Sequence, residues 1–305
     1  MKPILIHCHI YYPGLWEELK QCILNISPCP FELYITLVEK HFILKKDILK
    51  TFPKAHTEIV DNRGYDIGPF VHVLNKVNLD KYSYVIKLHT KRDMPIGAML
   101  GTMNVSGKRW REYALSFLKT PQIFAKTLKS FEQTKELGMH GNYHLIVDIE
   151  LHDIESAKKA QELIQKMGLK NNGSVFVAGT MFMARAKLLK PVQKLKLKIN
   201  NFESPDNQHK KTTFAHVMER FFGYLMMAQS QQIQDIATRH QYSGVFWDKA
   251  RKLGLFFYRC KLDKKGNITV RIFRLPLLKI SIKENRRVHV YLLGMKLFSF
   301  NRHQS

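Results

Sequence analysis

Ten consecutive residues, Asp61-Asn62-Arg63-Gly64-Tyr65-Asp66-Ile67-Gly68-Pro69-Phe70, combine polar side chains with glycines at a spacing suited to holding a ligand. Gly64 and Gly68 flank Asp66, and glycine lets backbone approach a bound group closely because no Cβ intervenes. Asn62 and Asp66 each offer hydrogen bonds to a hydroxyl or a base edge. The same residues also read as a helix start, with Asp66 as cap and Pro69 in the first turn. The two readings are compatible, since a capped helix start is a natural anion site. A second cluster, Lys87-Leu88-His89-Thr90-Lys91-Arg92, sets four cationic or potentially cationic side chains in six residues. Lysine and arginine neutralise a diphosphate directly, without a metal. A solvated basic loop is the alternative, and position after an apolar run argues for function.

Two further segments carry chemistry. His216 and Glu219 stand three apart in an otherwise apolar run with Phe214, Val217, Phe221, Phe222, Leu225 and Met226, so they share a helix face. A carboxylate presented from such a helix has raised proton affinity and takes a proton from a hydroxyl. A structural ion pair of Glu219 with Arg220 or His216 describes the same residues. In Ala178-Gly179-Thr180-Met181-Phe182-Met183-Ala184-Arg185, Gly179 and Thr180 suit an acceptor side and Arg185 a phosphate. A buried strand with a salt-bridged arginine fits as well. His7-Cys8-His9 suggests a metal but lacks a nearby carboxylate, and Asp148-Ile149-Glu150 has only D-x-E spacing. The chain holds no G-x-x-x-x-G-K-[ST], G-x-S-x-G or G-x-G-x-x-G motif.

The elements that must position these groups alternate. Residues 3–9, 31–38, 56–60 and 82–88 read as strands, separated by helical patterns over 12–25, 43–51 and 71–77. That alternation predicts an α/β fold with a mostly parallel sheet covered on both faces. Ligands bind such sheets where loops leave the carboxyl ends of strands, which is where the first two clusters fall. Further on, helices are expected over 110–118, 120–137 (stopped by Gly138), 156–167 (closed by Gly168) and 213–229. A strand is expected over 144–151, a turn at Asn171-Asn172-Gly173, and a mobile polar loop over 200–211.

Composition sets the class. At 305 residues, 45% hydrophobic and 24% charged, the chain is an ordinary globular protein in everything but its net charge of +24. Such charge attracts phosphates and anionic lipid. Residues 245–305 hold 15 Lys/Arg against three Asp/Glu, half of the excess charge in a fifth of the length. Apolar and basic residues alternate there in short β-hairpins. We therefore divide the chain into a catalytic domain, 1–244, and a basic β-rich appendage, 245–305, that docks on anionic membrane. Cys8, Cys22, Cys29 and Cys260 form no C-x-x-C pair and read as reduced cytosolic thiols. No stretch of about 18 apolar residues occurs, and the N-terminus lacks a signal-peptide pattern. The expected location is the cytoplasm, peripheral on the inner face of the cytoplasmic membrane.

The motifs together resemble the rhamnan synthesis protein F family of bacterial polysaccharide and lipopolysaccharide biosynthesis. The matching pieces are His7 to Pro13 with Leu15-Trp16, Asn62 to Phe70, Tyr84 to Lys91, Trp110-Arg111, Ala178 to Arg185 and Ala215 to Gly223. The resemblance covers residues 3 to about 235, and Met183 departs from it where many members carry an aromatic residue. It implies a glycosyltransferase of GT-A-like fold using a nucleoside diphosphate sugar, TDP-rhamnose being the first donor to test. The acceptor would be a lipid-linked or lipid A-core saccharide. We expect Asn62, Arg63, Gly64, Asp66, Lys87, His89, Thr90, Lys91 and Arg92 to bind the donor. Gly179, Thr180 and Arg185 would face the acceptor, and Glu219 with His216 would activate its hydroxyl. Many sugar-nucleotide transferases place acids where this chain has cations, so Mg²⁺ or Mn²⁺ is not expected and no other cofactor follows. The rival classes are a nucleic-acid-binding protein, suggested by a pI near 9.8, and a non-catalytic membrane adaptor. Against nucleic acid, the catalytic half does not interleave aromatic with basic residues.

Overall fold

A computed structural model describes residues 2–92, 98–100, 103–105, 107–148, 154–170, 173–204, 206, 212–235, 258–262, 268–272, 275–282 and 287–301. Ile149 and Glu150 of the D-x-E spacing, Asn171-Asn172 of the expected turn and most of 205–211 in the polar loop lie outside them. The chain divides into two compact units, Met1–Arg92 with Arg109–Val245, and Asp93–Lys108 with Phe246–Ser305.

The first unit is α/β. In order it contains β1 (Ile4–Ile10), α1 (Trp16–Leu24), β2 (Phe31–Leu37), α2 (Leu44–Thr51), β3 (His56–Ile59), α3 (Ile67–Lys76) and β4 (Tyr84–His89). After the hairpin strands β5 (Ala98–Leu100) and β6 (Met103–Val105), which belong to the second unit, come α4 (Gly107–Ala114), α5 (Pro121–Gln133), β7 (Leu137–His140) and β8 (Ile146–Asp148). The remainder is α6 (Ile154–Lys166), β9 (Val175–Val177), β10 (Phe182–Arg185), α7 (Lys190–Lys194), α8 (Phe214–Ala228) and β11 (Gln232–Gln234).

Seven strands form the central sheet in the order β11-β7-β10-β4-β1-β2-β3. β3, β2, β1 and β4 are parallel, and β10 runs antiparallel to both β4 and β7. The chain winds outward from β1 through β2 to β3, then returns to lay β4 on the other side of β1. The β1/β4 boundary is therefore the switch point of the parallel half, where a crevice opens at the carboxyl ends. β1 and β4 are buried along their whole length, as the continuous apolar reading of those strands requires.

Local chemistry explains the helices. Thr120 caps α5 by accepting from the Ile123 N–H, with Pro121 in the first turn. Thr213 and His216 form a capping box at the start of α8. α6 is followed by Gly168 at φ +70°, the left-handed stop expected there. One expectation fails: α5 ends at Gln133, and Gly138 lies inside β7 instead of stopping a helix. A Cβ at Gly138 would stand 2.6 Å from the Gln231 Cβ, so glycine serves close packing there. A four-residue strand is too short for its period to stand out against the preceding helix.

In the second unit, β12 (Tyr258–Leu262), β13 (Ile268–Ile272), β14 (Leu275–Ile282), β15 (Arg287–Leu292) and β16 (Met295–Asn301) form one antiparallel sheet in sequence order. Among the described residues, no helix is long and apolar enough to cross a membrane.

Candidate functional site

Strand register places polar side chains in rows across one face of the sheet at the switch point. His7 of β1 lies between Tyr34 and Lys87, and Phe182 of β10 continues that row beyond Lys87. Two residues on, Thr36, His9 and His89 form the next row. Lys87, His7, His9, His89 and Thr36 are all buried, so these polar groups must find partners inside the protein.

They find them around Asp66. The Lys87 ammonium, 0% exposed, pairs with Asp66 Oδ2. It also donates to Thr180 Oγ1 at 2.7 Å, and that hydroxyl donates to Asp66 Oδ2 at 2.7 Å. The three side chains, from α3's start, β4 and the turn before β10, close a triangle. Phe70 of α3 roofs it, with the Lys87 Nζ 5.5 Å from its ring centre and the His7 ring at the same separation. The Nδ1 of His89 lies 3.4 Å from Asp66 Oδ2 without hydrogen-bonding it. His7 Nε2 and His9 Nδ1 share the Thr36 hydroxyl at 2.9 and 3.0 Å. One hydroxyl has one proton, so it donates to one ring and accepts from the other.

Burial dominates the titration of these groups. It drives His89 down to about 3, with Asp66 opposing and Lys87 adding to the fall. His9 falls to about 4 for the same first reason, and His7 well below its ordinary value. All three rings are neutral at pH 7. Burial opposes the charge of Asp66, but His89 and Lys87 beside it, with the Thr180 hydrogen bond, hold the carboxyl well below the usual range. Burial likewise lowers Lys87 against the pull of Asp66.

Backbone strain marks the same place. Thr180, a β-branched residue, sits at φ +52°, and Tyr65, next to Asp66, at φ +54°. Such conformations cost on the order of 1–3 kcal/mol each and cluster at functional sites. Gly179 precedes Thr180 at φ +79° and packs on Trp110, whose Nε1 would lie 2.8 Å from an added Cβ. The Gly179 N–H donates to Glu219 Oε1 at 2.7 Å, and Arg220 donates to Glu219 Oε2 at 2.6 Å. Glu219 thus fixes the turn that presents Thr180, and of the two partners the ion-pair reading names, Arg220 and His216, it pairs with Arg220. His216 caps α8 through Nδ1, 3.1 Å from the Thr213 hydroxyl, and its ring centre lies 5.9 Å from that of Tyr65.

Several predicted residues stand elsewhere. Asp66 occupies the helix-cap position without capping, because its carboxylate turns to Lys87 and Thr180. The space beside Gly64 is filled by the Phe202 ring, 2.5 Å from where a Cβ would sit, and not left for a ligand. Arg63 donates to the Phe202 carbonyl at 3.1 Å, and Asn62 is half-buried beside it. Thr90 accepts from the Tyr11 and Tyr12 N–H groups, both at 2.9 Å, and so ties β4 to the connection after β1. Arg185 is not at the site. β10 runs antiparallel to β4, so its last residue pairs with Tyr84 at the amino end. There Arg185 donates to the carbonyls of Leu137, Phe131 and Thr134. Lys91 lies 4.4 Å over the Trp110 ring, and Arg92 is exposed beside it. Of the cationic cluster, then, Lys87 is committed to Asp66 and His89 is neutral, while Lys91 and Arg92 stand outermost.

Thr36, Tyr65 and Trp110 join the site without having been assigned to it from sequence, and His7 and His9 read there only as a weak metal motif. The signal was present: polar residues two apart in two strands, His7/His9 and Lys87/His89. Among the described residues no group of three or more His, Cys, Asp or Glu side chains is placed to hold a metal ion.

The family model for rhamnan synthesis protein F matches residues 1–231. Two curated relatives, each named uncharacterized protein WxcX, come from Xanthomonas campestris pv. campestris strains B100 and ATCC 33913. Each is 27% identical over 231 residues, which is 75% of this chain and 32% of the relative. The chain spans about a third of the length of the curated relatives it matches.

Proposed function

This chain belongs to the rhamnan synthesis protein F family, and from its part in polysaccharide synthesis we propose that it is a glycosyltransferase. It would move a sugar, rhamnose or a relative, from a nucleoside diphosphate donor to a growing surface polysaccharide on a lipid-linked or lipid A-core acceptor. The observation that carries the reading is the Asp66–Lys87–Thr180 triangle at the carboxyl ends of β1 and β4, in which Lys87 and Thr180 are buried and the Asp66 side chain is 18% exposed. A parallel α/β sheet binds its ligand at that crevice. Cores built only for stability rarely keep an ion pair beside a strained threonine. A GT-A-like assignment draws on the same parallel half and its polar end.

In this reading Lys91 and Arg92 neutralise the departing diphosphate, the role of oriented cations in phosphoryl chemistry. Asp66, locked ionised by Lys87, gives donor hydroxyls a fixed acceptor. Glu219, which accepts from the Gly179 N–H and from Arg220, takes the acceptor proton as the new glycosidic bond forms and the diphosphate leaves. Thermal-shift titration with TDP-rhamnose, UDP-sugars and GDP-sugars, with Mn²⁺ and with EDTA, tests the donor class. Stabilisation by one donor that survives EDTA is expected. Strict dependence on Mn²⁺ would remove the cationic-loop role, and no shift with any nucleotide sugar would remove the transferase.

A further inference from the structure

Phe42 and Ile43 are consecutive, 58% and 73% exposed, in the connection from β2 to α2. Around them Lys40, Lys45, Lys46, Lys50 and Lys54 are exposed, and between Glu39 and Lys54 these five lysines face two acids, Glu39 and Asp47. α2 turns Ile48 to the core and Lys45, Lys46 and Lys50 outward. The connection is held in place: the Lys40 ammonium lies 4.6 Å over the Tyr11 ring, and His41 packs edge-on against the same ring at 6.4 Å. Tyr11 in turn donates its N–H to Thr90, the residue after His89. The apolar tip therefore stands on the carboxyl-end side of the sheet, linked through Tyr11 and Thr90 to the Asp66 site.

We propose that the end of the β2–α2 connection and the first turn of α2, Lys40 to Lys46, form a membrane-contacting finger of the first unit, distinct from the basic C-terminal segment. Its occupant is a bilayer surface with anionic headgroups. Phe42 and Ile43 enter the boundary between headgroups and acyl chains, and the surrounding lysines meet lipid phosphates. Two adjacent side chains are far less than the roughly 800 Å² per partner of a stable protein interface. They suffice for a lipid surface, where shallow apolar insertion adds to the attraction of basic side chains for anionic headgroups. A lipid-borne acceptor would then arrive beside the site. The docking itself does not rest on the transferase reading.

The test is co-sedimentation of the full chain with vesicles of phosphatidylcholine alone and with about one third phosphatidylglycerol. The wild type is expected to bind the anionic vesicles, and the double variant Phe42→Ser/Ile43→Ser to bind them at least tenfold more weakly with an unchanged melting temperature. In a second measurement, Phe42→Trp is expected to add a blue-shifted emission component on mixing with anionic vesicles. Equal binding by the double variant would assign all membrane affinity to other basic surface. Emission from the Phe42→Trp variant that stays unshifted would place the finger in water; either result overturns the proposal. No donor or acceptor is needed, so loss of the transferase reading would leave this result standing, and the reverse.

Discussion

At the scale of single residues, the Asp66–Lys87 pair carries the sharpest consequences. Lys87 has no contact with water, so removing its counter-charge strands an ammonium in the interior. Asp66→Asn should destabilise the chain by about 3–5 kcal/mol in urea denaturation. Replacing both, Asp66→Asn/Lys87→Met, should recover much of that loss, because two uncharged groups need no desolvated pairing. Sugar transfer should stay abolished in the double variant; activity in it would reduce the pair to scaffolding. Glu219 offers a complementary test. Glu219→Gln keeps an acceptor oxygen for the Gly179 N–H yet cannot take a proton. Turnover should fall by about 10²-fold or more, and the lost counter-charge to buried Arg220 should lower the melting temperature as well. Near-wild-type turnover would leave Glu219 as a positioning residue for Thr180.

At the scale of elements, β1 and β4 bring three neutral histidines into the core, and this ties the fold to pH. Burial lowers His9 to about 4 and His89 to about 3, and His7 moves the same way. The unfolded chain binds their protons near pH 6.5, so between that value and about 4 it holds more protons than the fold. Stability is then full above pH 6.5 and falls as pH drops, by up to about 1.4 kcal/mol per pH unit for each ring. Asp66 contributes in a separate, lower window, lost as pH falls below its unfolded value. Urea midpoints between pH 7.5 and 4.5 should decline steadily, and a flat profile would mean that these rings are charged in the fold. α8 carries a different constraint. A Cβ at Gly223 would stand 2.1 Å from the Val175 carbonyl oxygen. Gly223→Ala should therefore push α8 off β9 and cost about 1–3 kcal/mol.

At the scale of the whole molecule, a net charge of +24 makes association with anionic surfaces a matter of ionic strength. Screening lengths shrink from about 10 Å at 0.1 M salt to about 3 Å at 1 M. If lipid docking holds the chain at its acceptor, binding to anionic vesicles should weaken severalfold between 0.1 and 0.5 M NaCl, while donor stabilisation inside the crevice changes little. The measurement is paired sedimentation and thermal shift across that range. Salt-sensitive retention on DNA without any response to nucleotide sugars would favour the nucleic-acid reading instead.

Local sequence was enough to dictate the alternation of strands and helices through β4, and with it the mostly parallel sheet and the carboxyl-end position of the two leading motifs. Continuous apolar runs and helical spacing are local signals, and they survive folding unchanged. The stop after α6 was legible for the same reason. Pairing across distance was not. That Thr180 meets Asp66 across 114 residues, that Arg185 is carried to the far end by an antiparallel strand, and that Phe202 fills the space beside Gly64 all depend on strand order and register. Those are set by contacts between segments remote in the chain. Long-range packing also settled that Lys87, read as a cation offered to a ligand, is an interior charge already answered by Asp66. A lysine in a β-strand looks the same in sequence whether its end reaches water or a carboxylate.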